Sequence, residues 1–241
     1  MSADVYQTEC VVIGAGAVGL ACAAALARFG HDVLVLANEW SSTGASLQRY
    51  ERSKKGWKKT GAAWKVSLGK KGLSWGRGRQ PATMEGPRKT EGDLTAPAGV
   101  FPIGRAYGYA EKAPAKTKWP YEGLSDKWVC VDDPKSSRYN EVFAADAEKK
   151  DWDSAETMRR KDHLYRWLIN VEQNTPTECG CGSCIFLHIW RTPGATTEGC
   201  TAMEEKDLLT LLGWLDPAAR PLLVQLPAEA YTRFRDGWDL P

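Results

Sequence analysis

Cys200 and His188 are the two residues of this 241-residue chain whose types and spacing suit nucleophilic chemistry. His188 ends the apolar run Cys184-Ile-Phe-Leu-His188, twelve residues before Cys200, and Cys200 directly follows Gly199 in Thr197-Glu-Gly199-Cys200-Thr-Ala-Met-Glu204. Thr201 with Glu204 three positions on reads as a capping box, and 205–214 has the apolar spacing of an amphipathic helix. The pattern therefore predicts a thiol at a helix start, where the dipole and free backbone N–H groups lower a cysteine pKa. The N–H groups of Gly199 and Cys200 would hold a developing oxyanion, and His188 would take the thiol proton. That is the layout of a cysteine acyl-transfer enzyme. Taken singly, a cysteine after glycine is more often a packing residue and a histidine on an apolar strand a satisfied core one; the pair in this order is what favours chemistry.

The elements that must position this pair are mostly β. Residues 46–51 read as a strand, Lys55-Gly56 as a turn and 57–68 as a further strand. Residues 166–171 and 184–188 read as core strands, the second delivering His188 at its end, and 221–226 as a closing strand. The polar stretch 144–160 reads as a helical excursion or lid. No internal repeat is visible.

With its Gly-Cys pair and upstream histidine, the chain resembles the L,D-transpeptidase (YkuD-like) family over about residues 45–227. The family signature is a histidine, a glycine-containing spacer and Ser-x-Gly-Cys-x-Arg; His188, Thr197, Gly199 and Cys200 stand at the matching places. Thr95-Ala-Pro97-Ala-Gly99-Val-Phe101-Pro-Ile103-Gly resembles the family's Thr-Pro-x-Gly-x-Phe element, with Glu91-Gly-Asp93 as its lead-in. The segments around Asp132-Asp133 and 158–167 resemble one branch of the family. The family arginine falls at Ala202, which nominates Arg191 as its substitute, and the His-to-Cys spacer is shorter than the common form. The resemblance implies a mainly β fold with short helices, a mixed sandwich or barrel, and no required cofactor. It implies acyl transfer from peptidoglycan tetrapeptide stems through a thioester, with loss of the terminal D-alanine and an L,D-carboxypeptidase side activity. It also implies a periplasmic or cell-envelope location.

The first 40 residues differ. Glu9-Cys-Val11-Val12-Ile13 is a short apolar strand leading into Gly14-Ala-Gly16-Ala-Val-Gly19, a helix pattern and a second strand at 30–36. Glycines at this spacing permit a tight turn and close pyrophosphate approach, and Glu39 is placed to meet a ribose hydroxyl. The segment resembles the first β-α-β unit of FAD-dependent oxidoreductases. No further parallel-sheet alternation follows, and a severed unit cannot bury both faces of its sheet. The expected organisation is thus a truncated Rossmann-like fragment at 1–40, vestigial toward FAD, a catalytic domain at 45–230 and a tail at 231–241. Residues 10–27 carry no charge, but Asp4 and Glu9 precede them and no Lys or Arg does, which contradicts a signal-peptide pattern. No stable membrane span is expected.

Net charge is +2, so nucleic acid is not an expected partner. Charge is uneven, however: residues 51–90 hold twelve Lys/Arg against Glu51 and Glu85. Solvated hairpin faces are one reading, and attraction to an anionic polymer such as the cell wall is the other. Trp57, Trp64 and Trp75 in this region fit core packing by their period-two spacing. Cys179-Gly-Cys181-Gly-Ser-Cys184 lacks the second ligand pair that structural zinc requires, so no metal is expected, whereas a disulfide among Cys130, Cys179, Cys181 and Cys184 suits an oxidising compartment. Cys10 and Cys22 read as packing residues. Two rival functions follow: a flavin oxidoreductase fragment, and a catalytically inactive wall-binding module built on the Lys/Trp-rich region.

Overall fold

The structure is a computed structural model that describes residues 30–81, 84–145 and 150–241. Thirteen strands dominate the described residues: β1 His31–Ala37, β2 Gly44–Ser53, β3 Gly56–Ser67, β4 Leu73–Trp75, β5 Ala96–Gly108, β6 Tyr121–Gly123, β7 Trp128–Val131, β8 Val142–Ala144, β9 Ala155–Thr157, β10 Trp167–Val171, β11 Phe186–Ile189, β12 Thr201–Met203 and β13 Leu222–Pro227. Helix α1 spans Glu205–Trp214 and α2 spans Ala228–Phe234. The main sheet runs β10-β11-β12-β3-β2-β1-β13-β5, and β10 also pairs with β5, which closes it into a ring; β4 and β6 attach to β5. A second, three-stranded sheet runs β8-β7-β9. The mainly β architecture expected for the catalytic domain is the one observed.

Side-chain alternation sorts the strands around the site into two faces. Ile169, Leu187 and Met203 point into the larger core with Val33, Val35, Phe101 and Val224. Leu168, Phe186 and Cys200 point the other way, into a second cluster with Cys130, Met158 and Tyr165. Helix α1 forms because Leu208, Leu211 and Leu212 recur on one face and are fully buried there; each is worth roughly 1.5–3 kcal/mol of burial. It stops where Leu215 turns extended ahead of Asp216-Pro217.

Three sequence expectations give way. The strand assigned to the N-terminal fragment, β1, lies within the main sheet, parallel to β13 and antiparallel to β2. The stretch 144–160 contributes β9 and the end of β8 rather than a helix among its described residues. Residues 231–241 pack rather than trail: Leu240 is buried in the main core, the Phe234 and Trp238 rings stack, and Trp57 Nε1 donates to the Asp239 carbonyl at 3.0 Å. Trp75 is buried and Trp57 and Trp64 are half-buried, each of the latter covered by an arginine, Arg52 at 5.0 Å and Arg49 at 5.2 Å. These rings are packing groups rather than open stacking platforms.

Candidate active site

Strands β11 and β12 run parallel with His188 opposite Ala202, so Cys200, one step before β12, faces the same side as His188. Both line a cleft of about 650 Å³ walled by the 195–200 loop, by Lys89 and Glu91, and by Glu156, Arg160 and Tyr165. The capping box expected at Thr201 and Glu204 does not form. Thr201 belongs to β12 and its hydroxyl donates to Gln225 Oε1 at 2.7 Å, while α1 begins at Glu205 without a side-chain cap. Cys200 therefore sits one strand away from the helix start and does not draw on its dipole.

Burial decides the protonation of the pair. Cys200 is 8% exposed and its pKa is pushed up to about 12, by burial first and the nearby Glu156 charge second; the Phe186 N–H, Lys89 and Arg160 pull weakly the other way. The sulfur accepts the Phe186 N–H at 3.3 Å and donates to the Cys184 carbonyl at 3.5 Å. His188 is 5% exposed and its pKa falls to about 4, again by burial. Its Nδ1 lies 2.8 Å from the Ile189 carbonyl, which can only accept, so Nδ1 carries the proton and Nε2 keeps its lone pair. The resting pair is thus thiol and neutral imidazole, not the lowered-pKa thiolate that a helix start would supply.

The turn that delivers the thiol is tied by Thr197, whose hydroxyl donates to the Cys200 carbonyl at 2.6 Å and accepts the Gly199 N–H at 3.2 Å. The Gly199 N–H expected at an oxyanion is thus engaged in the free protein. Gly199 itself has φ 151°, and a Cβ there would lie 3.2 Å from the Thr95 carbonyl oxygen, so glycine is required. Arg191 reaches the cleft rim, 64% exposed, with Asp162 at 3.9 Å. Asp162 is already forked by Arg160 at 2.9 and 3.0 Å.

Other groups of the cleft carry no signature in the local pattern. Tyr165 is buried edge-on to His188, with ring centroids 5.3 Å apart, and its hydroxyl donates to Glu156 Oε2 at 2.8 Å. Burial raises the Glu156 pKa to about 7. Glu91 accepts from Tyr139 and Ser183, and Lys89 is 6% exposed and paired with Asp93. The Glu91-Gly-Asp93 lead-in was the one available pointer, and composition gave no sign that the neighbouring lysine is buried. A disulfide joins Cys130 of β7 to Cys184 at the cleft wall and so ties the small sheet to the strand carrying His188; Cys179 and Cys181 are free.

The sequence profile of the L,D-transpeptidase catalytic domain, YkuD, matches residues 45–224, and the chain belongs to this family. A second profile, FAD dependent oxidoreductase, matches residues 9–61. Among solved structures, the helical cell shape determining protein Pgp2 from Campylobacter jejuni is similar at 14% identity, over 83% of this chain and 50% of that one, with a TM-score of 0.37. The chain thus spans half the length of that protein. No curated protein matches.

The described residues do not fit FAD. A dinucleotide-binding unit sets its first two strands side by side, yet both edges of β1 are occupied, by β2 and β13. Glu39 is exposed and accepts the Ser41 hydroxyl at 2.7 Å. Gly14, Gly16 and Gly19 lie outside the described residues, as do Cys10 and Cys22. Among the described residues, no helix is long and apolar enough to cross a membrane.

Proposed function

We propose that this domain is a cysteine acyltransferase that acts on peptidoglycan stem peptides, with Cys200 as nucleophile and His188 as base. The observation that carries the reading is the placement of a thiol, one step before β12, and an imidazole of defined tautomer, on β11, on the same side of the sheet and in one cleft of an L,D-transpeptidase catalytic domain. Because the resting pair is neutral, the proton moves as the sulfur attacks: Cys200 gives its proton to His188 Nε2 while Sγ bonds the carbonyl carbon of the stem peptide. The carbonyl electron pair moves to oxygen, facing the Cys200 N–H and, once Thr197 releases it, the Gly199 N–H. Collapse expels the terminal D-alanine with the proton from His188 and leaves a thioester. An amine then completes transfer, or water completes carboxypeptidase hydrolysis. Thiol and imidazole suffice, so no cofactor enters. The Cys130–Cys184 disulfide suits the periplasm or cell envelope, where such substrates lie.

Incubation with a tetrapeptide muropeptide tests this by intact mass and released D-alanine. The expected result is an acyl adduct on Cys200 with D-alanine release, both lost in Cys200→Ala. The neutral resting pair favours one second reading, a wall-binding module without turnover. Peptidoglycan pull-down that persists in Cys200→Ala, with no adduct or release from the wild type, would select it.

A further inference from the structure

We propose that Lys89 is a catalytic residue of this cleft, its ammonium stabilising the negative charge that forms at Cys200 and at the acyl oxygen; this rests on Cys200 being the nucleophile. The side chain is buried on the cleft wall beside the 199–200 turn. Its stem crosses Gly182 so closely that a Cβ there would lie 2.8 Å from Cγ and 2.9 Å from Cε, and a Cβ on Gly199 would lie 3.7 Å from Nζ. Asp93 aims it: Oδ1 accepts from Nζ at 2.5 Å, and the same carboxylate accepts the Thr90 and Thr95 N–H groups, each at 2.9 Å. Burial alone would raise the Asp93 pKa, but these bonds together outweigh it and keep the carboxylate ionised. An ammonium has three N–H donors, and Asp93 takes one. The others lie on the cleft side and can turn to a charge that arrives there.

The other cations of the cleft are paired or exposed. Lys70 is paired with Glu198 in the open, Arg160 is forked onto Asp162, and Arg191 is exposed. Ala202 brings no cation, α1 begins too late to help, and the Gly199 N–H is held by Thr197. In the attack step, the Cys200 proton goes to His188 Nε2, the new S–C bond forms, and the carbonyl pair moves to oxygen. There Lys89 donates an N–H without losing its proton.

The test compares alkylation of Cys200 by iodoacetate and iodoacetamide at one pH, read by mass spectrometry of the Cys200 peptide. The two reagents share their chemistry and differ in charge, so their rate ratio reports local potential. Lys89→Met should lower the iodoacetate-to-iodoacetamide ratio about tenfold, and Lys89→Arg should keep it within about threefold. Asp93→Asn, which cuts the ion pair but leaves the ammonium, should keep or raise it; a merely structural clip predicts the same fall in Asp93→Asn as in Lys89→Met. Should Lys89→Met not fold, the Lys89→Met/Asp93→Asn double variant removes both charges and is expected to lower the ratio in the same direction, by less than about tenfold because the Asp93 charge is gone as well. On a tetrapeptide stem, kcat should fall about 10²–10³-fold in the variants lacking Lys89, with a smaller change in KM. A ratio unchanged in a folded variant without Lys89 overturns the proposal. A ratio that falls in a protein whose wild type never turns over stem peptides upholds the Lys89–Cys200 coupling and removes only the assigned substrate.

Discussion

Thr197 and Cys200 are joined through the shortest fully buried link of the site, a 2.6 Å hydrogen bond from the threonine hydroxyl to the cysteine carbonyl, while the same oxygen accepts the Gly199 N–H. One hydroxyl therefore holds both ends of the turn that presents the thiol. Thr197→Val keeps the shape and deletes both bonds, leaving a buried carbonyl and N–H unpaired. The expected cost is about 1–3 kcal/mol of stability and at least about tenfold in kcat. Thr197→Ser should retain both, checked by denaturant unfolding and steady-state kinetics. Equal behaviour of the two variants would remove the turn from the mechanism.

The neutral thiol and imidazole set a pH signature. His188 loses its base function only as pH falls toward about 4, so kcat/KM should be level from about pH 5 into the neutral range rather than bell-shaped. Alkylation of the substrate-free thiol by iodoacetamide should keep rising, about tenfold per pH unit, well beyond pH 9, since its pKa stands near 12. A plateau of alkylation below pH 8 would mean a resting thiolate and contradict the burial argument.

Glu156 and His188 oppose each other in stability. Folded Glu156 holds its proton up to about 7 against 4.5 unfolded, so its contribution is complete below 4.5 and is lost as pH rises through 7. His188, depressed to about 4 from 6.5, contributes above 6.5 and loses that contribution as pH falls through 4. Between these limits the slopes cancel in part. Glu156→Gln keeps an acceptor for Tyr165 and removes one slope. Its stability should rise from pH 4 to 6.5 where the wild type is flatter, and should exceed the wild type at pH 8 by at most about 3 kcal/mol. Parallel pH curves from chemical denaturation would refute this.

The Cys130–Cys184 bond closes a loop with a sequence separation of 54 residues. Chain entropy alone gives such a crosslink about 4 kcal/mol. Cys130→Ser should lower the unfolding free energy by up to that amount. It should also lower kcat, because the bond holds β7 and its sheet against the strand of His188. Loss of stability with full activity would separate the clasp from the site.

Much of the β framework was legible because its signal is local. Alternation at 46–51 and 57–68 and the apolar runs at 184–188 and 221–226 mark β2, β3, β11 and β13 closely. That Cys200 and His188 share one face and one cleft was legible from type and order, since a histidine ending one strand and a cysteine just before the next need only parallel neighbours to do so. Distant contacts were not legible. Thr201 satisfies the capping-box pattern by itself, but Gln225, from another strand, claims its hydroxyl. The protonation of the pair depends on burial by Tyr165, Phe186 and the small sheet, which no spacing encodes. Lys89 counted as one more surface charge in a basic stretch until Gly182 and Asp93 closed around it.

The position of β1 bears on what counts as one unit of this protein. The transpeptidase match begins at residue 45, yet the stave between β2 and β13 is His31–Ala37, inside the stretch that matches the oxidoreductase profile. The borders of the profile match and of the folded sheet thus fall in different places. A chain cut at the family boundary would lose this stave and open the ring there, baring to water the facing edges of β2 and β13 and the core that Val33 and Val35 now cover. Seven residues within the stretch that matches one profile thus complete the sheet of the domain that matches the other.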